Sequence, residues 1–185
     1  MRARGEADRI EGMSSKNAFD ILGIDKVFDL DMDDVQRKYV KLGAANHPDK
    51  FVDPIEQMDA AERISEINAA YHTVKDPESR ANELLRAMGG ASKEEDKSLP
   101  PTLLMEMMEI REELEEAIEK EDRETLEKLK SWSLEEKLEY LGMLSQMFGK
   151  AANGKLDVKT AGEIRMHLNA LRYIERMLEE FPEEV

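Results

Sequence analysis

The stretch Asn46-His47-Pro48-Asp49-Lys50-Phe51 decides the fold, because it interrupts two segments that otherwise read as amphipathic helices. Pro48 has no amide hydrogen, and its ring pushes His47 out of helical angles toward extended ones, so the preceding helix must stop near Ala45. Asp49 follows the fixed ring, and an Asp there commonly folds its carboxylate onto nearby backbone amides. An imidazole, a locked ring and a carboxylate are thereby presented at a bend. A Pro-Asp pair alone is also what an ordinary helix-helix turn uses, so the flanking chain has to decide between the two readings.

Immediately before the bend, Asp31 is placed to cap a helix, with Leu30 and Val35 at the two positions of a hydrophobic staple. At about 100° per residue, Val35, Tyr39 and Leu42 share one stripe, while Arg37 and Lys41 fall on the far side and Lys38 on the flank. Such a basic face is commonly only solvated surface, but this one ends at the His47 bend. After the bend, Asp53-Pro54-Ile55-Glu56 holds a cap, a proline at the first helical position and the glutamate of a capping box. Ala60, Ile64, Ile67, Tyr71 and Val74 then form the apolar stripe of a long helix that ends before Pro77. The two helices are expected to pack as an antiparallel hairpin.

Further out, Ser14 is a cap candidate ahead of Asn17-Ala18-Phe19-Asp20-Ile21-Leu22, a short helix closed by Gly23. Pro77 opens another short helix, Glu78 to Met88, stopped by Gly89-Gly90. Ala91 to Pro101 is polar, charged and proline-ended, the composition of a boundary. Three longer helical segments follow, Thr102 to about Lys120, about Arg123 to Lys150 and about Val158 to Glu180, which suit an antiparallel three-helix bundle. Ser133 with Glu136 resembles an internal capping box, so a break near Trp132 is open. The expected chain is all-α: a tail over 1–14, a hairpin domain over 15–88, a linker over 89–101 and a bundle over 102–181.

Composition narrows the chemistry. The 185 residues, 41% apolar, can bury one medium core or two small ones, and the pattern favours two. With no cysteine, disulfides, thiolate nucleophiles and Cys-based zinc sites are excluded. His47, His72 and His167 are far apart and lack metal-type spacing, so no metal is expected. A net charge of −15 disfavours nucleic acid and anionic membranes as partners. Residues 1–90 hold 13 basic and 18 acidic side chains and residues 91–185 hold 14 and 24, so the second half is the more acidic. No run approaches the roughly 20 apolar residues of a membrane span. Arg2, Arg4 and Arg9 are interleaved with Glu6, Asp8 and Glu11, which a mitochondrial presequence avoids; the opening reads as a disordered tail, and Met13 could equally be the start.

The helix after the linker carries more apolar residues than a core needs. Leu103, Met107, Ile110, Leu114, Ala117 and Ile118 fill one arc of roughly 100°. Leu104, Met105 and Met108 lie elsewhere, on the arc of Glu109, Glu112 and Glu116. In the last helix, Ile164, Leu168, Leu171, Ile174 and Leu178 make the core stripe, and Met166 and Tyr173 project from roughly the opposite side. Single exposed apolar residues are normal. A contiguous patch with methionine, an aromatic and an acidic border is more like a partner site.

Phe19-Asp20-Ile21-Leu22-Gly23, the basic helix with Tyr39, His47-Pro48-Asp49-Lys50 and Ile67-Asn68-Ala69-Ala70-Tyr71 together resemble the J domain of DnaJ-type co-chaperones. Arg80-Ala81-Asn82-Glu83-Leu84-Leu85, Leu104-Met105-Glu106 and Glu109-Ile110-Arg111-Glu112-Glu113-Leu114 are similar to the HscB family, the dedicated co-chaperones of iron-sulfur cluster biogenesis. The likeness runs from about Ser15 to Phe181.

The resemblance implies an L-shaped two-domain molecule in which His47, Pro48, Asp49 and Lys50, with Arg37, Lys38 and Lys41, engage a DnaK-type ATPase, HscA in many bacteria. It also implies that Leu104, Met105, Met108, Glu109, Glu112 and Glu116, with Tyr173, bind the cluster scaffold IscU. On this reading the chain is not an enzyme, carries no cofactor and resides in the bacterial cytoplasm, with the mitochondrial matrix as alternative; a monomer is expected, with an oligomer left open by the sequence. Paired metal-binding cysteines that precede the J domain in some eukaryotic relatives have no counterpart here. Two other readings stand beside it: a general J-domain co-chaperone for unfolded clients, and an enzyme using His47 and Asp49 as an acid-base pair, which lacks a nucleophile and a third orienting group.

Overall fold

The computed structural model of the protein describes residues 16–151 and 155–182; the opening tail, Met13 and the cap candidate Ser14 lie outside them. Among the described residues the chain is all-helical, with seven α-helices: α1 Ala18–Leu22, α2 Met32–Ala45, α3 Pro54–Lys75, α4 Pro77–Ala87, α5 Pro101–Glu119, α6 Arg123–Gly149 and α7 Val158–Glu180. Two compact units divide it. One holds residues up to Lys26 and Leu30–Ser79; the other holds Val27–Asp29 and everything from Arg80 onward.

In the first unit the local chemistry fixes the helix ends. Asn17 caps α1 by accepting from the Asp20 N–H at 2.9 Å, and Gly23 closes it at φ 62°, a left-handed angle that favours glycine. Asp31 caps α2 through two amides, and Asp53 caps α3 with Pro54 at its first position. Phe19, Leu22, Val35, Ala60, Ile67, Ala70 and Val74 are buried and form the core. Across the α2–α3 hairpin Tyr39 stacks on Tyr71 with ring centroids 4.1 Å apart. Tyr39 donates to Asn68 Oδ1 at 3.0 Å and Tyr71 donates to Gln36, so each ring is held at both its face and its hydroxyl.

In the second unit α5, α6 and α7 pack successively antiparallel. Leu114, Ala117, Leu126, Leu129, Met177 and Phe181 form one buried cluster, and Ile164, Leu168, Leu171 and Ile174 continue it along α7. Met177 is buried where the sequence pattern favoured Leu178, which is only partly covered, and Met166 is half-buried rather than projecting. The break considered near Trp132 does not occur. The α6 helix runs unbroken for 27 residues because Ser133, instead of capping a new start, turns its buried hydroxyl back to donate to Leu129 O at 2.7 Å.

Residues 91–98 are tied to α7 rather than left loose. Arg165, only 2% exposed, donates to Ala91 O at 3.5 Å, and Asn169 donates through Nδ2 to Asp96 O and Ser98 O at 3.2 and 3.0 Å. Phe28 belongs to this unit as well, stacked on Phe148 at 5.6 Å with the Arg80 guanidinium 5.0 Å above its ring.

Candidate functional site

The bend at Asn46–Phe51 is one turn of 3-10 helix, Pro48–Lys50, and both its ends are fastened. Upstream, Asn46 donates to Leu42 O at 2.8 Å; downstream, Gln57 reaches back to Phe51 O at 2.8 Å and the Arg63 guanidinium sits 6.0 Å above the Phe51 ring. His47 is extended at φ −64°, ψ 129°, as the following proline demands. One expectation is overturned. Asp49 does not fold its carboxylate onto the backbone; His47 caps the turn instead, its Nδ1 accepting from the Asp49 N–H at 3.3 Å. The amides that follow Asp49 are already taken, Lys50 N–H by His47 O and Phe51 N–H by Pro48 O, both at 3.0 Å. The Asp49 carboxylate is left free, with its side chain 89% exposed and Oδ2 3.5 Å from the same His47 nitrogen. The turn therefore displays a charged acceptor on a backbone that does not depend on that charge.

The basic helix face is less uniform than the wheel suggested. Arg37 and Lys41 are exposed, but Lys38 is tied down, pairing with Asp34 at 3.2 Å and donating to Gly23 O at 3.4 Å. The Lys38 hydrogen bond is the chief reason that the Asp34 carboxyl titrates below the usual carboxylate range, aided by the charges of Lys38 and Arg37. Lys50 stays exposed beside Asp49. Sequence reasoning passed over Val52, Ile55 and Met58, which are exposed just beyond the turn at 95%, 67% and 67%.

In the second unit the residues assigned off the core of α5 are on the surface: Leu104 is 39% exposed, Met105 63% and Met108 57%, whereas Met107 between them is buried. Glu109, Glu112 and Glu116 are exposed along the same side, Glu116 paired with Lys120. Tyr173, 43% exposed, shares a cavity of about 80 Å³ with Met107, Arg111, Met177 and Glu180, and Arg111 bridges to Glu180 at 3.0 Å. Leu104 lies only about 20° from Arg111 around the α5 axis at about 100° per residue. The α7 tyrosine thus borders the edge of α5 that carries Leu104 and leads on to Met108. Sequence reading missed what lies on the other side of that tyrosine: Lys93, Lys97, Arg172 and Arg176 surround a cavity of about 300 Å³ with it. Arg172 and Arg176 are visible as an i, i+4 pair, but no spacing tells that residues 93–97 pack beside them.

Among the described residues no group of three or more His, Cys, Asp or Glu side chains is arranged to hold a metal, and no helix is long and apolar enough to cross a membrane.

Comparisons with known proteins agree with this layout. A sequence profile described as the DnaJ domain matches residues 17–82, and one described as the HSCB C-terminal oligomerisation domain matches residues 99–181. A protein called co-chaperone protein HscB homolog from Neisseria meningitidis serogroup C is 36% identical over 135 residues, which cover 71% of this chain and 81% of that protein. A homolog of the same name from Vibrio cholerae is 38% identical over 102 residues, 54% of this chain and 60% of that one. Among solved structures, chaperone HscB from Vibrio cholerae superposes with a TM-score of 0.73 at 27% identity, covering 90% of this chain and 95% of that one. The crystal structure of human co-chaperone protein HscB shares the fold, with a TM-score of 0.77 at 24% identity over 91% and 81% of the two chains. A J domain with an exposed His-Pro-Asp turn, followed by a helical domain of its own kind, defines the class: a J-domain co-chaperone. Within that class the chain belongs to the HscB family of co-chaperones.

Proposed function

We propose that the protein binds an IscU-type iron-sulfur cluster scaffold with its second unit, and stimulates the ATPase of a DnaK-type chaperone, HscA or its equivalent, with the first. The observation that carries this reading is the exposed Leu104, Met105 and Met108 on a helix whose core face is already filled, bordered by Glu109, Glu112, Glu116 and Tyr173. Methionine adapts its shape to a partner and an aromatic supplies large contact area. The His47 turn, with Pro48, Asp49 and Lys50 and the neighbouring Arg37, Lys38 and Lys41, is the chaperone-facing group. Holding client and ATPase on one chain raises their effective concentration, so a weak contact to each suffices. The turn then favours a chaperone conformation that hydrolyses ATP, a shift of an existing equilibrium, while the basic face acts mostly on encounter rate and orientation. The bacterial relatives support a cytoplasmic setting.

Immobilising the full chain and offering it a lysate tests the reading directly. The scaffold and the DnaK-type ATPase are expected to elute together. Recovery of many denatured proteins with no preferred folded one would instead support a general co-chaperone for unfolded clients.

A further inference from the structure

On a chain of net charge −15, several basic side chains of the second unit are neutralised locally: Arg86 pairs with Glu83, Arg111 with Glu115 and Glu180, Lys128 with Glu124, Lys137 with Glu175. The cavity of about 300 Å³ beside Tyr173 departs from that pattern. Lys93, Lys97, Arg172 and Arg176 converge on it, and among the described residues none of the four has an ion pair or a hydrogen bond through its side chain. One carboxylate, Glu94, shares the wall.

The surrounding acids are committed elsewhere. Glu95 Oε2 accepts from the Ser92 N–H at 2.7 Å, and Asp96 Oδ1 accepts from the Ser98 hydroxyl and N–H at 2.6 and 2.8 Å. The Ser92 bonds hold the Glu95 carboxyl below the usual range, and the Ser98 bonds, aided by the Arg165 charge, do the same for Asp96, so both are ionised but turned into the turn itself. The wall is built, because Asn169, 7% exposed, holds the carbonyls of Asp96 and Ser98 against α7. Converging unpaired cations fit carboxylates, and two arginines offer planar forks that take them two bonds at a time. The size is at the small end of ligand cavities, enough for one or two acidic side chains.

We propose that this cavity is a docking site for an acidic segment of a protein partner, whose Asp or Glu side chains enter between Arg172 and Arg176 on one side and Lys93 and Lys97 on the other. Tyr173 belongs both to this cavity and to the edge of the Leu104–Met108 surface, which makes the two continuous. The combined face is basic at the α7 end and acidic along α5, so it admits a client in one orientation and opposes the reverse. Only the source of the segment, the protein docked on α5, rests on the function proposed above. A long polyanion such as nucleic acid is disfavoured by the repulsion of the rest of the chain.

The test uses the full chain and fluorescein-labelled hexaglutamate, followed by anisotropy. Saturable binding that weakens with added salt is expected. Arg172→Glu with Arg176→Glu should weaken it at least about tenfold, as loss of two direct charge contacts implies, and Arg172→Gln with Arg176→Gln serves if the reversed pair does not fold. Lys150→Glu, a charge reversal just past the end of α6, should leave binding within about twofold. Absence of saturable binding overturns the proposal. So does an equal loss on Lys150→Glu, or inorganic phosphate or a DNA oligonucleotide binding at least as tightly as the peptide. If the peptide behaves as expected while the scaffold fails to bind the chain, only the client assignment falls.

Discussion

Changing Asp49 to Asn is expected to remove most of the chaperone stimulation while leaving the turn intact. Asn has the same size, and the bond that caps the turn runs from the Asp49 backbone N–H to His47 Nδ1, so it survives the change. The fasteners at Asn46, Phe51 and Gln57 are likewise untouched. What disappears is a charge on a side chain 89% open to solvent, which contributes little inside this protein and is available to a partner. A hydrogen bond to a charged group contributes about 1.5–3 kcal/mol, which is about 10- to 150-fold in an equilibrium. Steady-state ATPase of the DnaK-type chaperone, with scaffold present, should therefore lose its stimulation by at least about tenfold. Undiminished stimulation with an unchanged circular dichroism spectrum would remove the turn from the mechanism.

The second large effect concerns the client. Leu104, Met108 and Tyr173 are 39%, 57% and 43% exposed, and replacing all three by Ala should weaken scaffold binding by about 100-fold or more, since apolar anchors at an interface commonly contribute over about 1 kcal/mol each. The core behind them, Met107, Leu114 and Ile174, is not altered, so the unfolding free energy should stay within about 1.5 kcal/mol of the original, about 0.5 for each substitution. Titration calorimetry reads the first quantity and urea unfolding the second. Unchanged affinity would reduce the patch to ordinary surface, and a collapsed midpoint would show that these side chains serve the fold.

The fold was largely legible because its helix ends are chemically explicit. Asp31, Asp53, Asp122 and Asp157 each cap a helix through the side chain, and Pro54 and Pro77 begin helices at the position where a missing amide costs nothing. Periodicity told which face of α5 is buried because the core arc and the Leu104 arc are separate on the wheel. It misled where one residue had two uses. Ser133 is as good a cap as a back-bonding residue in sequence, and only the burial of its surroundings selects the second. At the bend the Lys50 and Phe51 amides that follow Asp49 go to the His47 and Pro48 carbonyls, which the order of residues does not tell. The cationic cavity was readable only as the Arg172 and Arg176 pair, since its other wall comes from a segment more than 70 residues earlier that Arg165 and Asn169 draw against α7.

The exposed methionines bring a liability of another kind. Without cysteine the chain has no thiol to oxidise, and its accessible sulfur is thioether, some of it at Met105 and Met108 in the middle of the proposed client surface. Peroxide converts such a side chain to a polar sulfoxide, which methionine sulfoxide reductases reverse. Met107 and Met177, one layer deeper, are shielded, whereas Met58 on α3 is as open as the two on α5, so peptide mapping after mild peroxide should find oxygen added at Met58, Met105 and Met108 before Met107 and Met177. On the function proposed above, oxidation at Met105 and Met108 should weaken scaffold binding while the helices stay as they are, and reduction of the sulfoxides should restore it.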